Sequence, residues 1–198
     1  MARRQRREND EPPAVRAARD REKHVSQVTS YGFIARRGPK RSVTVVPRPL
    51  RYWQYNPVSP GVALATVGAV VVWLVALGLI SGWADARSEA PLAVGLGLLV
   101  LVLATSRFTV SDHGVSTDIA GLRQTSSFGV VPLVLLDDVV RAPAPADWPK
   151  PRRRGGWWPG RTRVAVRHLD ADGVADKAFT VWVRDPEAFA DAVDRPLP

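Results

Sequence analysis

Gly61 to Ile80 reads GVALATVGAVVVWLVALGLI, twenty consecutive residues with no charge and no polar group stronger than Thr66. At the rise of an α-helix this stretch covers roughly 30 Å, the thickness of a bilayer's hydrocarbon core. A helix buried in a large soluble protein has a similar composition. A chain of 198 residues has no core large enough to surround one, so the stretch is read as a membrane span.

Outward from that span, Pro91 to Ser106 (PLAVGLGLLVLVLATS) is again uncharged but shorter. Standing alone it could be a core helix or a re-entrant piece. Next to a span, a returning helix is the simplest way to keep it out of water, with tilt and flanking residues making up length. The expected boundaries are a first span over 61–83, an external loop over 84–90 and a second span over 91–106. Tyr52, Trp53, Tyr55 and Trp83 flank the first span and are expected to anchor in the headgroup layer, where amphipathic rings are favoured. Gly68, Gly95 and Gly97, with several alanines, would let two backbones approach closely.

Charge is distributed unevenly. Residues 1–60 carry fourteen Lys/Arg against five Asp/Glu, the turn 82–90 one against two, and residues 107–198 thirteen against twelve. The excess of +9 therefore precedes the apolar block. Arg36, Arg37, Lys40, Arg41, Arg48 and Arg51 lie close ahead of the first span, whereas Arg87 is alone between the spans. The positive-inside rule then predicts a multi-pass protein of the cell membrane with both termini cytoplasmic.

Residues 1–30 have few large apolar side chains, and residues 1–41 are expected to be a basic, disordered tail. The cluster Arg3-Arg4-Gln5-Arg6-Arg7 is not read as the start of a signal peptide, since no apolar stretch follows it for some fifty residues. Residues 42–60 are Pro-rich and aromatic, and are read as a kinked juxtamembrane segment with a short extended piece at Ser42–Val46.

Beyond Arg107 the pattern becomes short alternating segments. Phe108–Ser111 and Val115–Ile119 flank Asp112-His113-Gly114 and predict a hairpin. Val131–Val140, broken by Pro132, reads as a buried strand. Arg163–Leu169 is expected to pair with Phe179–Val183 across Asp170-Ala171-Asp172-Gly173. Asp185-Pro186-Glu187 opens a helix, with Asp as N-cap and Phe189, Ala192 and Val193 as the apolar face. The fold class is thus a membrane α-helical hairpin followed by a small α+β domain over 107–198, an antiparallel half-barrel closed by a C-terminal helix.

These pieces resemble a known family. The F-x-V-x-D-x-G-V opening at Phe108–Val115, the Leu-Leu-Asp-Asp-Val-Val strand, the Gly-Gly-Trp-Trp turn at Gly155–Trp158 and the Phe-Thr-Val-Trp-Val-Arg-Asp-Pro-Glu-Ala-Phe junction look like the PH-like domains of small two-span membrane proteins of high-GC Gram-positive bacteria. The resemblance covers less than half the chain and implies a fold and a membrane setting, not a ligand. The chain departs from it in the Pro-rich insert Ala142–Pro151 and in Arg152-Arg153-Arg154.

Candidate chemistry is sparse. No cysteine is present, which removes disulfides, thiolate metal sites and cysteine nucleophiles. Asp137-Asp138 should point to opposite strand faces, one in and one out, and His24, His113 and His168 are far apart in sequence. Gly155-Gly156 lacks the Lys-Ser/Thr of a phosphate loop, and Gly121 is isolated. No catalytic residue, metal ligand or cofactor is implied, and the chain is read as not an enzyme. The stretch from Lys150 to Arg161 stands out, with Arg152, Arg153, Arg154 and Arg161 around Trp157 and Trp158 in a loop without regular structure. Two readings stay open. The loop grips anionic lipid headgroups, or the indoles pack into the barrel rim and the arginines are merely solvated. The expected partners are the lipid bilayer, anionic headgroups and other membrane proteins, with the domain an interaction or lipid-contacting module, for example an accessory subunit of an envelope assembly. The alternative is a membrane tether that binds nucleic acid or an acidic partner through the basic tail, but interspersed acids dilute that field and make nucleic acid the weaker candidate.

Overall fold

The computed structural model describes residues 11–31, 48–119, 129–155, 157–170 and 172–198. The arginine cluster at 3–7, the basic run 36–41, the extended piece at Ser42–Val46, Gly121, Gly156 and Ala171 lie outside the described residues.

Two helices are long and apolar enough to cross a membrane. These are α2 (Pro60–Ile80) and α3 (Trp83–Leu103), with Pro13–Thr29 as α1 and Pro186–Ala192 as α4. Ser59 caps α2, its side chain accepting from the Val62 amide. The two apolar helices pack as an antiparallel pair and are otherwise largely uncovered. One element differs from expectation: residues 84–90, read as a loop, are instead helical and form the first two turns of α3, which begins at Trp83. Ser81 and Gly82 alone make the turn. Gly82 adopts φ +105°, a conformation that side-chain-bearing residues rarely adopt, and the Trp83 ring lies against Gly78. Asp85, Arg87, Ser88 and Glu89 continue the helix, with Asp85 in its first turn favoured by the helix dipole.

The remaining strands make two four-stranded sheets. The first has the order β1 (Tyr52–Asn56), β2 (Ser106–Val110), β3 (Gly114–Ile119) and β4 (Val131–Pro132), all antiparallel. The second has the order β5 (Leu136–Arg141), β7 (Thr162–Leu169), β8 (Asp176–Val183) and β6 (Arg152–Arg154). A 3₁₀ turn over Leu133–Leu135 joins the sheets. The expected hairpins are present, with Val110 opposite Val115 and Arg163 opposite Trp182. Phe108, Val110 and Val115 of one sheet and Val164, Val166, Phe179 and Val181 of the other enclose a single core, and Phe189 and Val193 of the C-terminal segment enter it. Full burial of one such side chain stabilises by about 1.5–3 kcal/mol. The C-terminal helix begins as its sequence predicts, with the Asp185 carboxylate accepting from the Ala188 amide at 2.9 Å.

Three regions read as irregular turn out to be structured. The juxtamembrane segment contributes β1, whose alternation buries Tyr52, Gln54 and Asn56. The Arg152–Arg154 run is an edge strand parallel to β8, not a loop. Part of the expected disordered tail is α1, which packs on β3, β4 and the 3₁₀ turn. That helix has little apolar surface to offer, yet Ala17, His24 and Val28 are completely buried along one face. What it covers is itself polar. Arg107 pairs with Asp118 at 3.3 Å, Thr109 bonds Ser116 at 2.9 Å, and His24 Nδ1 lies 2.8 Å from Ser111 Oγ. The helix covers a polar face and is joined to its β2–β3 turn by the His24–Ser111 contact, which apolar periodicity does not register.

Candidate functional site

Trp53, Tyr55 and the Arg152–Arg161 segment lie near one end of the two-sheet part. β1 ends at Asn56, opposite Ser106 at the start of β2. Three residues separate β1 from α2, and two separate α3 from β2. Both apolar helices therefore leave the same end of the same pair of neighbouring strands.

A buried amide ladder holds that end to the second sheet. Gln54 Nε2 donates to Asn56 Oδ1 at 2.8 Å and to the Trp182 carbonyl at 2.6 Å. Its Oε1 accepts from the Tyr52 hydroxyl at 2.7 Å and the Arg184 amide at 2.8 Å. Arg161 extends the ladder outward, donating to Asn56 Oδ1 and to the Tyr55 carbonyl. Burial pushes the Arg161 guanidinium below its ordinary range. Gly155 turns the chain at φ +77°, and a Cβ there would sit 3.2 Å from the Asn56 amide nitrogen. The segment following β6 is thus fastened beside the root of α2.

Along that segment, Arg152 and Arg153 are exposed. Arg154 turns inward, its guanidinium 4.3 Å from the centre of the Phe179 ring, and donates to the Gly129 carbonyl at 2.9 Å. Burial, with repulsion from Arg152, pushes its pKa down to about 10. Trp157 is 53 % exposed and Trp158 38 %, so neither indole is packed away in the rim. A cavity of about 320 Å³ opens here, lined by Arg153, Gly155, Trp157, Arg163, Thr180 and Trp182.

The expected aromatic anchors divide. Trp53 and Tyr55 lie on the outward face of β1 with their rings 5.6 Å apart, edge to face, and Trp53 is exposed. Trp83 is exposed at the opposite end of the helical pair. Tyr52 is no anchor. It is buried, with Phe108 at 6.4 Å and Phe189 at 5.9 Å, because strand alternation turns it into the core.

Among the described residues, the titratable side chains singled out in the sequence lie apart from one another. Asp137 and Asp138 both face solvent instead of dividing between faces, because the β5–β7 register shifts between Leu136 and Asp138. Asp137 meets Arg167 at 3.2 Å, while Asp138 accepts from the Val139 amide. His168 Nδ1 lies 2.6 Å from the Leu169 carbonyl, and burial lowers its pKa. His113 lies 3.5 Å from Asp20 on α1. Among the described residues no three His, Asp or Glu side chains form a metal-binding group.

Sequence reading missed Gln54, Arg163, Thr180 and Trp182. Thr180 and Trp182 occupy alternate positions of β8, and Arg163 falls opposite Trp182, so the signal was present in the β7–β8 pairing. The third side of the cavity comes from the parallel β6, which no local pattern announces. Comparison with protein families, with curated proteins and with solved structures gives no match for the chain.

Proposed function

We propose that this chain is a non-enzymatic two-span membrane protein whose PH-like domain sits at the cytoplasmic surface of the cell membrane as an interaction and lipid-contacting module. The observation that carries the reading is the pairing of Asn56 with Ser106 across the two apolar helices. If both helices cross, that pairing puts their outer ends on one side of the bilayer and the Ser81–Gly82 turn on the other. The excess of Lys/Arg ahead of α2 assigns the domain side to the cytoplasm. Arg161, bonded beside the root of α2, keeps Trp157, Trp158 and the neighbouring arginines near the headgroup layer. Indoles favour that layer, and each cation close to an anionic leaflet contributes about 1 kcal/mol of attraction. Two sheets around one core with a closing helix are compatible with the PH-like resemblance. An accessory role beside other membrane proteins suits the uncovered faces of α2 and α3. Capture of nucleic acid through the tail is disfavoured, because residues 13–29 are engaged on the first sheet.

The absence of native cysteine provides the test. Single cysteines at Ser88, Lys23 and Val174, all exposed, would be probed in intact cells with a membrane-impermeant maleimide. Labelling at Ser88 alone is expected. Labelling at Lys23 and Val174 without Ser88 would reverse the orientation, and labelling at all three would refute the crossing hairpin.

A further inference from the structure

The geometry points to the cavity on the outer face of the second sheet as a binding site for a phosphate monoester, carried on a lipid headgroup or free in solution. This rests on the proposed placement of the domain at the membrane surface and deepens it by naming the group recognised.

Three adjacent strands build the cavity. β6 places Arg153 beside Thr180 of β8, and β7 places Arg163 beside Trp182 of β8. Their side chains share the face turned away from the core, whose other side carries Val164, Val181 and Val183. Strand spacing sets the Cα atoms of Arg153 and Arg163 about 12 Å apart across β8, within reach of one small anion for two extended guanidinium arms. Trp157 and Gly155 line one flank from the segment after β6. The Arg163 guanidinium stands 6.0 Å from the centre of the Trp182 ring, which orients it without consuming its donors.

Charge decides the class of ligand. Among the described residues no carboxylate lines the cavity. Among the described residues neither Arg153 nor Arg163 forms an ion pair, whereas Arg51, Arg107, Arg141 and Arg167 all do. A phosphate monoester carries a charge of about −1.5 to −2 near neutrality and offers three acceptor oxygens. Two guanidiniums match that charge and can each bind bidentately, and the Thr180 hydroxyl adds a third donor. Arginines on an edge strand also discourage pairing with another chain. That role would explain Arg152 and Arg153 but requires neither Arg163 nor the indole walls.

The test uses the full chain in nanodiscs titrated calorimetrically with inorganic phosphate. In zwitterionic discs, binding is expected to weaken on the order of tenfold in Arg153→Gln and again in Arg163→Gln, as for loss of a charge-assisted hydrogen bond. Arg141→Gln, whose guanidinium serves Glu187 outside the cavity, should leave it unchanged. Discs doped with phosphatidic acid separate the sources. Loss of the phosphate heat there identifies a lipid monoester as occupant, and persistence of the same heat identifies a soluble one. Phosphate binding that is absent, or that falls equally in Arg141→Gln, overturns the site. Because the zwitterionic arm needs no lipid contact, its failure leaves the cysteine-labelling result for the hairpin standing, and the converse also holds.

Discussion

Acidification should loosen this protein chiefly through the fully buried imidazole of His24, with the partly buried His168 adding to the effect. His24 is fully buried between α1 and the outer face of the first sheet. Ser111 Oγ meets its Nδ1, and its Nε2 is buried with no hydrogen-bond partner. Desolvation, then the nearby His113 and Arg107, lower its pKa from 6.5 to about 4. The folded state therefore resists the proton that the unfolded chain accepts below 6.5. Stability is complete above that value and is lost as pH falls toward the folded pKa. At about 1.4 kcal/mol per pH unit, the loss is about 2 kcal/mol by about pH 5 and about 3 kcal/mol once the folded group titrates. α1 has no side-chain N-cap and joins the sheet mainly through polar contacts, so it is the element expected to open first. Denaturant unfolding of the full chain in detergent, followed by near-UV dichroism across this pH range, gives the slope. The His24→Gln variant removes the titration while keeping a polar group and should flatten that slope relative to wild type. A His24 imidazole resonance titrating near 6.5, or equal slopes in the two proteins, would refute the reasoning.

Two further outcomes follow from packing. Gly97 faces α2 so closely that a Cβ there would meet Val70 Cγ2 at 3.0 Å, while Gly95 has open space around it. Gly97→Leu should cost the helical pair about 1–3 kcal/mol in steric-trapping or SDS-unfolding measurements, and Gly95→Leu close to nothing. Gln54→Leu leaves the Asn56 amide oxygen, the Trp182 carbonyl, the Tyr52 hydroxyl and the Arg184 amide short of a partner. It should destabilise the two-sheet domain by about 3 kcal/mol in denaturant melts, and a cost below 1 kcal/mol (about that of one exposed hydrogen bond) would show that water replaces the ladder.

Features written in neighbouring residues were legible from the chain alone. Twenty uncharged residues can avoid water only in a bilayer or a large core, so α2 was legible from composition. The β2–β3 and β7–β8 hairpins and the Asp185 cap were legible because turn formers and alternation lie within a few positions of each other. Helix α3 began earlier than expected because Asp85, Arg87 and Glu89 are polar without being helix breakers, and polarity was read as loop. Tertiary structure decided the rest. Whether Tyr52–Asn56 is an approach to the membrane or a strand depends on Ser106–Val110, beyond the whole helical hairpin. Whether Arg152–Arg154 is a loop or an edge strand depends on the parallel partner Phe179–Val181. α1 is held by a polar sheet face that exists only once β2 and β3 have paired, so no hydrophobic period in its own residues could reveal it. Long-range pairing assembles both the edge around Asn56 and the arginine–tryptophan cavity, and neither partner strand carries a local mark of the other.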